Sequence, residues 1–419
     1  MAAKPGKATK AIKVAPSPAV MAALRAEAGG ALKRFYAERG YAPLWLRGDA
    51  VGPAASDFVG FLRTAKLDGL RPSSYDIDKL REAIGAARGG DPLALAKAEL
   101  LLSDTFAKFV RDQRRAGGKV AMIWAAKSLK PQRMKVEAIL RAAALSGPFP
   151  AYVADMAWMS PHYVRLRGLL ARAEKAGGSE EALGRLRLNL DRARLLPGPW
   201  TMHIVVDASA ARLWYYQGGK QLGTMRVVVG AQETQTPMMA GLLQWATLNP
   251  YWNIPDYLAQ GNIAPKILSG RSPESMRIEA LSDWSANPAV LDPATIDWAA
   301  VAAGKQEVRL RERPGPANSM GRIKFLFAND EGIYLHDTPN RALLVKDDRH
   351  LSNGCIRLED APVLARWLMR QSLATAAKSK GAEHVVNLPV PVPVYLTYLT
   401  ARETKAGLAF GKDVYGRDK

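Results

Sequence analysis

The sequence predicts an α+β protein, with a helical half followed by a mainly β half. Three observations carry that reading. Apolar residues recur at three- and four-residue spacing as far as Leu196, Pro197-Gly198-Pro199 then interrupts the chain, and beyond it the apolar period becomes two. At 419 residues the chain is long enough for two or three domains with large cores.

Helical segments are expected at Met21–Arg39, Ala55–Lys66, Pro92–Gln113 and Ser179–Leu195, punctuated by Gly89-Gly90, Gly117-Gly118 and Gly177-Gly178. Residues 1–20, rich in Lys, Ala and Pro, read as a disordered tail. A helical domain then spans 21–197, a β domain 198–400, and a C-terminal extension 401–419. Within the β domain, His203–Asp207, Arg212–Gln217 and Gly223–Gly230 read as strands, with a hairpin signal at Gly218-Gly219. Leu243–Leu248, Lys324–Phe327, Gly332–His336 and Val392–Leu399 continue the sheet, and Ala361–Leu373 reads as a short helix. Between Tyr251 and Gly321 the alternation is lost, and prolines with Trp252, Trp284 and Trp298 take its place. A long irregular insertion of this kind (251–321) reads as a lid or binding loop, surface decoration being the plainer alternative.

Composition narrows the function. Lysine and arginine number 59 against 39 acidic residues, a net charge of +20. Such a surface attracts anionic polymers, nucleic acid or the bacterial envelope among them. The positive residues are spread along the chain, and helix-turn-helix, RNA-binding and zinc-finger signatures are missing, which argues against nucleic acid. One cysteine excludes an intrachain disulfide. Five scattered histidines and no phosphate-binding glycine loop give no reason to expect a metal or cofactor. No apolar run is long enough to span a membrane, and the N-terminal residues lack an apolar signal core.

The chemistry concentrates in Tyr334-Leu335-His336-Asp337-Thr338-Pro339 and Leu351-Ser352-Asn353-Gly354-Cys355-Ile356-Arg357-Leu358. A nucleophilic thiol needs a nearby base, and His336 ends an expected strand. Gly354 lets the backbone turn sharply, so the N–H groups of Asn353, Gly354 and Cys355 are candidates for an oxyanion hole. Taken alone, each residue has a plainer reading. A lone cysteine is usually a small buried hydrophobe. A histidine at a strand end is more often a structural hydrogen-bonder.

Together these residues resemble the catalytic domain of the L,D-transpeptidases, the YkuD type, in which a histidine precedes Ser/Thr-His-Gly-Cys. Here His336 and Cys355 are 19 residues apart, and Asn353 stands where the family carries a second histidine. The large YcbB-like subgroup shares that substitution by a small polar residue. Asn249-Pro250-Tyr251-Trp252-Asn253-Ile254-Pro255, Thr236-Pro237, Arg313-Pro314-Gly315-Pro316 and Gly321-Arg322-Ile323-Lys324-Phe325 also resemble that subgroup. Upstream, Phe35-Tyr36, Pro43-Leu44-Trp45-Leu46 and Asp68-Gly69-Leu70-Arg71-Pro72 resemble its helical scaffold. The stretch from Tyr163 to Leu196 is short for the small peptidoglycan-binding module that many relatives carry.

The resemblance implies a YkuD-type β-sandwich with an inserted lid, behind an α-helical scaffold domain. It implies a peptidoglycan L,D-transpeptidase, a cysteine acyltransferase that takes tetrapeptide stems, releases D-alanine and forms 3→3 cross-links through a thioester. Cys355 would be the nucleophile and His336 the base, oriented by a backbone carbonyl, so that Asp337 reads as a turn residue. Tyr334, Arg357, Ser352 and Trp252 would contact substrate, Arg357 through a stem carboxylate and Trp252 from the lid. Core packing for Tyr334 and an ion pair with Glu359 or Asp360 for Arg357 are the plainer readings. The implied partners are donor and acceptor stems, other wall-synthesis proteins and carbapenem inhibitors. The implied location is the periplasm or envelope of a Gram-negative bacterium, with an export signal on the precursor. A cysteine L,D-carboxypeptidase and a non-catalytic wall-binding scaffold are the alternatives.

Overall fold

The computed structural model describes residues 15–118, 120–376, 382–405 and 407–419. Its helical half contains, among the described residues, α1 (Pro18–Glu27), α2 (Gly30–Glu38), α3 (Ala54–Arg63), α4 (Ile77–Ala86), α5 (Pro92–Arg115), α6 (Val136–Leu145), α7 (Phe149–Ala154), α8 (Pro161–Lys175) and α9 (Glu180–Arg194). Two expectations are corrected here. The helical part begins at Pro18, not Met21, because Ser17 caps the first turn and Val20 is fully buried. The rest of the expected tail, 1–14, lies outside the described residues. The expected helix Met21–Arg39 is two helices, since Ala28 leaves the helical region and Gly30 has φ +51°.

Helix α5 is the axis of this half. Asp91 caps it, and Leu95, Glu99, Leu102, Phe106, Phe109 and Gln113 form one stripe, all with no exposed surface. Its two polar members each hold a buried network. Glu99 accepts from the Tyr36 hydroxyl (2.6 Å) and from the Leu44 and Trp45 amides. Gln113 donates to Asp68 (2.9 Å) and accepts from the Trp158 indole (2.6 Å). Asp68 is fully buried, takes a two-pronged contact from Arg167 and accepts from the Tyr163 hydroxyl (2.7 Å). The motifs around Tyr36, Trp45 and Asp68 therefore sit at the polar joints of the helical core.

The strands, in chain order, are β1 (Ile123–Trp124), β2 (His203–Asp207), β3 (Arg212–Gln217), β4 (Lys220–Gly230), β5 (Met239–Leu248), β6 (Trp252–Ile254), β7 (Ile278–Leu281), β8 (Val290–Leu291), β9 (Arg309–Glu312), β10 (Ile323–Leu326), β11 (Leu335–His336), β12 (His350–Ser352), β13 (Ile356–Leu358), β14 (His384–Thr397), β15 (Ala401–Thr404) and β16 (Gly407–Phe410). Gly218 and Gly219 both have positive φ and join β3 to β4 in a two-residue hairpin. The main sheet runs β1-β5-β10-β11-β13-β4-β3-β2-β14, with β12 on β4. Strand β14 bonds β2 on one side and β5 on the other, so eight strands close into a ring. A core of Val206, Leu213, Val227, Leu243, Phe325, Leu335, Ile356 and Val394 fills it.

The insertion between β5 and β10 is ordered where the sequence shows no periodicity. Strands β6, β9, β7 and β8 make a separate antiparallel sheet, packed on Ile263, Trp298 and Val301. Each strand has two to four residues, too few to display alternation. The C-terminal extension is likewise built in. Leu408 and Phe410 of the β15–β16 hairpin pack on the helical core, and Asp418 pairs with Arg185 and with buried Arg192 of α9.

Asp68→Ala should strip Arg167 and Tyr163 of their buried acceptor. The expected cost is about 3–5 kcal/mol, the range for removing one partner of a buried pair, read as a lower urea midpoint. An unchanged midpoint would refute the role given to this network.

Candidate active site

Strand β11 lies between β10, to which it is antiparallel, and β13, to which it is parallel. In that parallel pair Leu335 faces Ile356 and His336 faces Arg357, and both Leu335 and Ile356 point into the core with no exposed surface. With a period of two, Tyr334, His336, Cys355 and Arg357 share the opposite face. The amide of Ile356 donates to the Tyr334 carbonyl (3.0 Å), which carries the pairing on to the cysteine.

The His336 ring is buried, and its Nδ1 lies 2.6 Å from the Asp337 carbonyl. A carbonyl only accepts, so Nδ1 carries the proton and Nε2 keeps a lone pair. Burial, then the Arg357 charge, pushes the imidazole pKa down to about 3. The ring is therefore neutral at physiological pH. The Asp337 carboxylate is occupied elsewhere, accepting from the Arg322 amide (3.0 Å), so this residue meets the imidazole through its backbone.

Cys355 is half-buried. Its sulfur lies 3.5 Å from the Gly332 carbonyl and takes contacts from both the amide and the hydroxyl of Tyr334. Burial pushes the thiol up to about 11, while Tyr334 and the Arg357 charge oppose that rise. The Tyr334 hydroxyl also accepts from the Trp252 indole, so Tyr334 bridges the cysteine and the insertion rather than filling core. Exposed Tyr257, also from the insertion, lies close enough to Cys355 for a thiolate there to raise its pKa. The sequence reading did not single out Tyr257. Its one signal is its position two residues beyond the Asn249–Pro255 segment.

Arg357 is half-buried, with Nε enclosed and unpartnered among the described residues. Glu359 is engaged by Arg226 (2.5 Å), so the ion pair considered for Arg357 does not form with it. Two other expectations are corrected. Ser352, expected at the substrate, is buried and its hydroxyl stays within the turn, donating to the Cys355 carbonyl (2.6 Å) and accepting from the Gly354 amide (3.2 Å). The Gly354 N–H is thereby engaged, which leaves the amides of Asn353 and Cys355 as the oxyanion-hole candidates. Gly354 itself has φ +108°, where a side chain is strained.

Residues far away in sequence pin this turn. Thr236 is buried, donates to the Gly354 carbonyl (2.7 Å) and accepts from the Gly230 amide (2.9 Å). Thr234 donates to the Ser352 carbonyl (2.9 Å), and the Tyr415 hydroxyl donates to the Gly230 carbonyl (2.6 Å). Thr236 appears in the sequence only as the Thr-Pro of a motif. Thr234 and Tyr415 carry no local signal.

The sequence profile of the L,D-transpeptidase catalytic domain, YkuD, matches residues 201–392, and that of a scaffold domain matches residues 30–170. The chain carries a YkuD-type L,D-transpeptidase catalytic domain behind a scaffold domain. A Haemophilus influenzae protein named "Putative L,D-transpeptidase" is 26% identical over 396 residues, covering 93% of this chain and 78% of the relative. Among solved structures, an LD transpeptidase in complex with imipenem aligns at 14% identity and TM-score 0.23, covering 47% of this chain and 58% of the other. An L,D-transpeptidase from Mycobacterium smegmatis aligns at 15% and 0.22, covering 46% and 58%. The chain thus spans a little over half the length of those solved chains.

Two predictions concern the transpeptidase domain. Thr236→Val keeps the shape but removes the hydroxyl that holds Gly354, and should slow modification of Cys355 roughly tenfold, about the worth of one hydrogen bond, with the melting curve nearly intact. A wild-type rate would show that the turn holds itself. The second concerns pH. Because the thiol is raised and the imidazole lowered, the proton stays on sulfur at neutral pH. Alkylation by iodoacetamide should rise with pH through 8–10 toward the thiol pKa of about 11. A plateau already reached near pH 6 would mean a preformed thiolate–imidazolium pair instead.

Proposed function

We propose that the protein is a peptidoglycan L,D-transpeptidase acting in the periplasm or cell envelope, joining stem peptides by 3→3 cross-links. The observation that carries the reading is the placement of Cys355 on the same face of the paired strands as a neutral His336, whose tautomer is fixed by a backbone carbonyl. A neutral thiol and a neutral imidazole on one face suit general-base attack, in which the proton leaves sulfur as the carbon–sulfur bond forms.

In the proposed first half-reaction the Cys355 sulfur attacks the carbonyl that precedes the terminal D-alanine of a tetrapeptide stem. His336 Nε2 takes the thiol proton, and the Asn353 and Cys355 amides hold the oxyanion. His336 then protonates the departing amine, the carbon–nitrogen bond breaks, and D-alanine leaves a thioester behind. In the second half an acceptor side-chain amine attacks the thioester, His336 removes its proton, and the thiol re-forms on Cys355. Arg357 would hold the terminal carboxylate by a two-pronged contact. Trp252, through Tyr334, and Tyr257 would close the donor site from above. The charge of +20 suits an anionic wall, and other wall-synthesis proteins are proposed partners.

Carbapenems are proposed inhibitors, because a strained β-lactam carbonyl presents the same electrophile to sulfur. Intact-protein mass after incubation with a carbapenem should show one adduct, absent in Cys355→Ala. His336→Ala should slow acylation by roughly 10²–10⁴-fold, the range for loss of a general base. Muropeptide analysis should show cross-linked dimers with the wild type and none with Cys355→Ala. An adduct that persists in Cys355→Ala would sink the nucleophile assignment. Tripeptide stems without dimers would replace the transpeptidase by a carboxypeptidase.

A further inference from the structure

Away from Cys355, a cavity of about 580 Å³ opens where helix α8 meets the catalytic domain. Four arginines line it, each from a different part of the chain: Arg165 of α8, Arg212 of β3, Arg349 just ahead of β12 and Arg402 of β15. None of the four is ion-paired to a carboxylate at contact distance among the described residues. The two acidic residues in the wall are already engaged. Glu403 pairs with Arg172 (2.5 Å). Asp207 accepts from the Ser209 and Leu399 amides, and burial raises its pKa to about 6.

Such a cluster repels itself, and only outside support keeps it together. The backbone supplies part of that support. Arg349 donates to the carbonyls of Val227, Lys346, Asp347, Ala210 and Ala211, so it lends the cavity its charge rather than a free fork, and Arg402 donates to the carbonyl of Ser209. Arg212 donates to the Thr224 hydroxyl. Burial and the charges of Arg226 and Arg212 hold the Arg349 pKa down, with Glu359 and Asp347 opposing from a distance. Arg165 and Arg402 are exposed, so the mouth is open to solvent.

Every cation lining this cavity is an arginine. The charge of Arg349 together with the guanidinium forks of Arg165, Arg212 and Arg402 suits an anion with several oxygens around one centre, which is the geometry of phosphate. The volume exceeds that of a single phosphate and leaves room for a second phosphate or an organic group, with Trp214 and Leu166 as an apolar wall. We propose that this cavity binds a phosphate-bearing anion of at least two charges, a pyrophosphate or a phosphomonoester headgroup, which bridges the scaffold and catalytic domains. The site shares no side chain with the Cys355 centre.

The probes are inorganic pyrophosphate, followed by titration calorimetry on the full chain at about 0.15 M salt, and phosphatidylcholine vesicles with and without phosphatidic acid. The wild type should bind at least one of them saturably, and Cys355→Ala should bind as well as the wild type. Arg165→Gln and Arg402→Gln, both at exposed positions, should each weaken binding roughly tenfold or more, the worth of one charge-assisted hydrogen bond, while carbapenem acylation of Cys355 stays at the wild-type rate. A response to pyrophosphate identifies a free anion, and a response only to phosphatidic acid vesicles identifies a headgroup; either one supports the site. Binding of neither probe, or full binding by the Arg165→Gln/Arg402→Gln double variant, would overturn it. Citrate bound as tightly as pyrophosphate would overturn the phosphate assignment. The binding readouts do not depend on Cys355, so failure here and failure of the transpeptidase reading are separable.

Discussion

Two residues of parallel pairing, Leu335 against Ile356 and His336 against Arg357, set the geometry on which the site depends. Neither strand is long enough to hold a register alone. The register is fixed because Leu335 and Ile356 are core residues, and a slip by one would turn both into solvent and the polar pair into the core. The closed path of strands reinforces this, since a strand bonded on both sides inside a ring has little freedom to slide. His336 and Cys355 therefore stand on one face because of apolar burial on the other.

The turn before Cys355 depends on a different kind of support. Its carbonyls and amides are satisfied by Ser352, Thr234 and Thr236, and the Gly230 end of that cluster is closed by Tyr415. Arg417 of the same C-terminal segment donates to Gln235 and Thr236, and its own carbonyl accepts from Arg192 of α9. A continuous chain of hydrogen bonds thus runs from helix α9 to the turn before Cys355. Helix α9, remote from Cys355 in sequence, is thereby linked to the position of the sulfur.

Legibility in the sequence followed the range of the interaction. The helical stripe of α5, the Gly218-Gly219 hairpin and the face shared by Tyr334 and His336 are local periodicities, and they can be read directly from the chain. Cys355, His336 and Arg357 stood out because a polar glycine turn and a strand end are local as well. Thr234, Tyr257 and Tyr415 were not legible, because their roles depend on contacts across more than 90 positions. Strand β14 was expected only from Val392. Pro389, Pro391 and Pro393 argue against a strand, and the ladder does shift register between Asn387 and Val392 before resuming. The insertion failed for the opposite reason, its strands being too brief to leave a pattern.

The insertion leaves the sheet at Leu248 and returns at Ile323, and these two residues are direct partners across β5 and β10. Its two chain crossings are therefore one strand spacing apart, roughly 5 Å, and they are tied to each other by the Asn249 amide and the Arg322 carbonyl (3.0 Å). Asn249 and Gly321 both have positive φ at these crossings. A body with its own core is thus joined to the ring by the chain at two adjacent points, and beyond them it rests on Tyr334 through Trp252. A rotation of this body about that short axis would leave its own sheet intact but would have to break the Trp252 contact to Tyr334. What can reach Cys355 from that side would then depend on whether this contact holds and on an angle of swing, rather than on the volume of a preformed cavity.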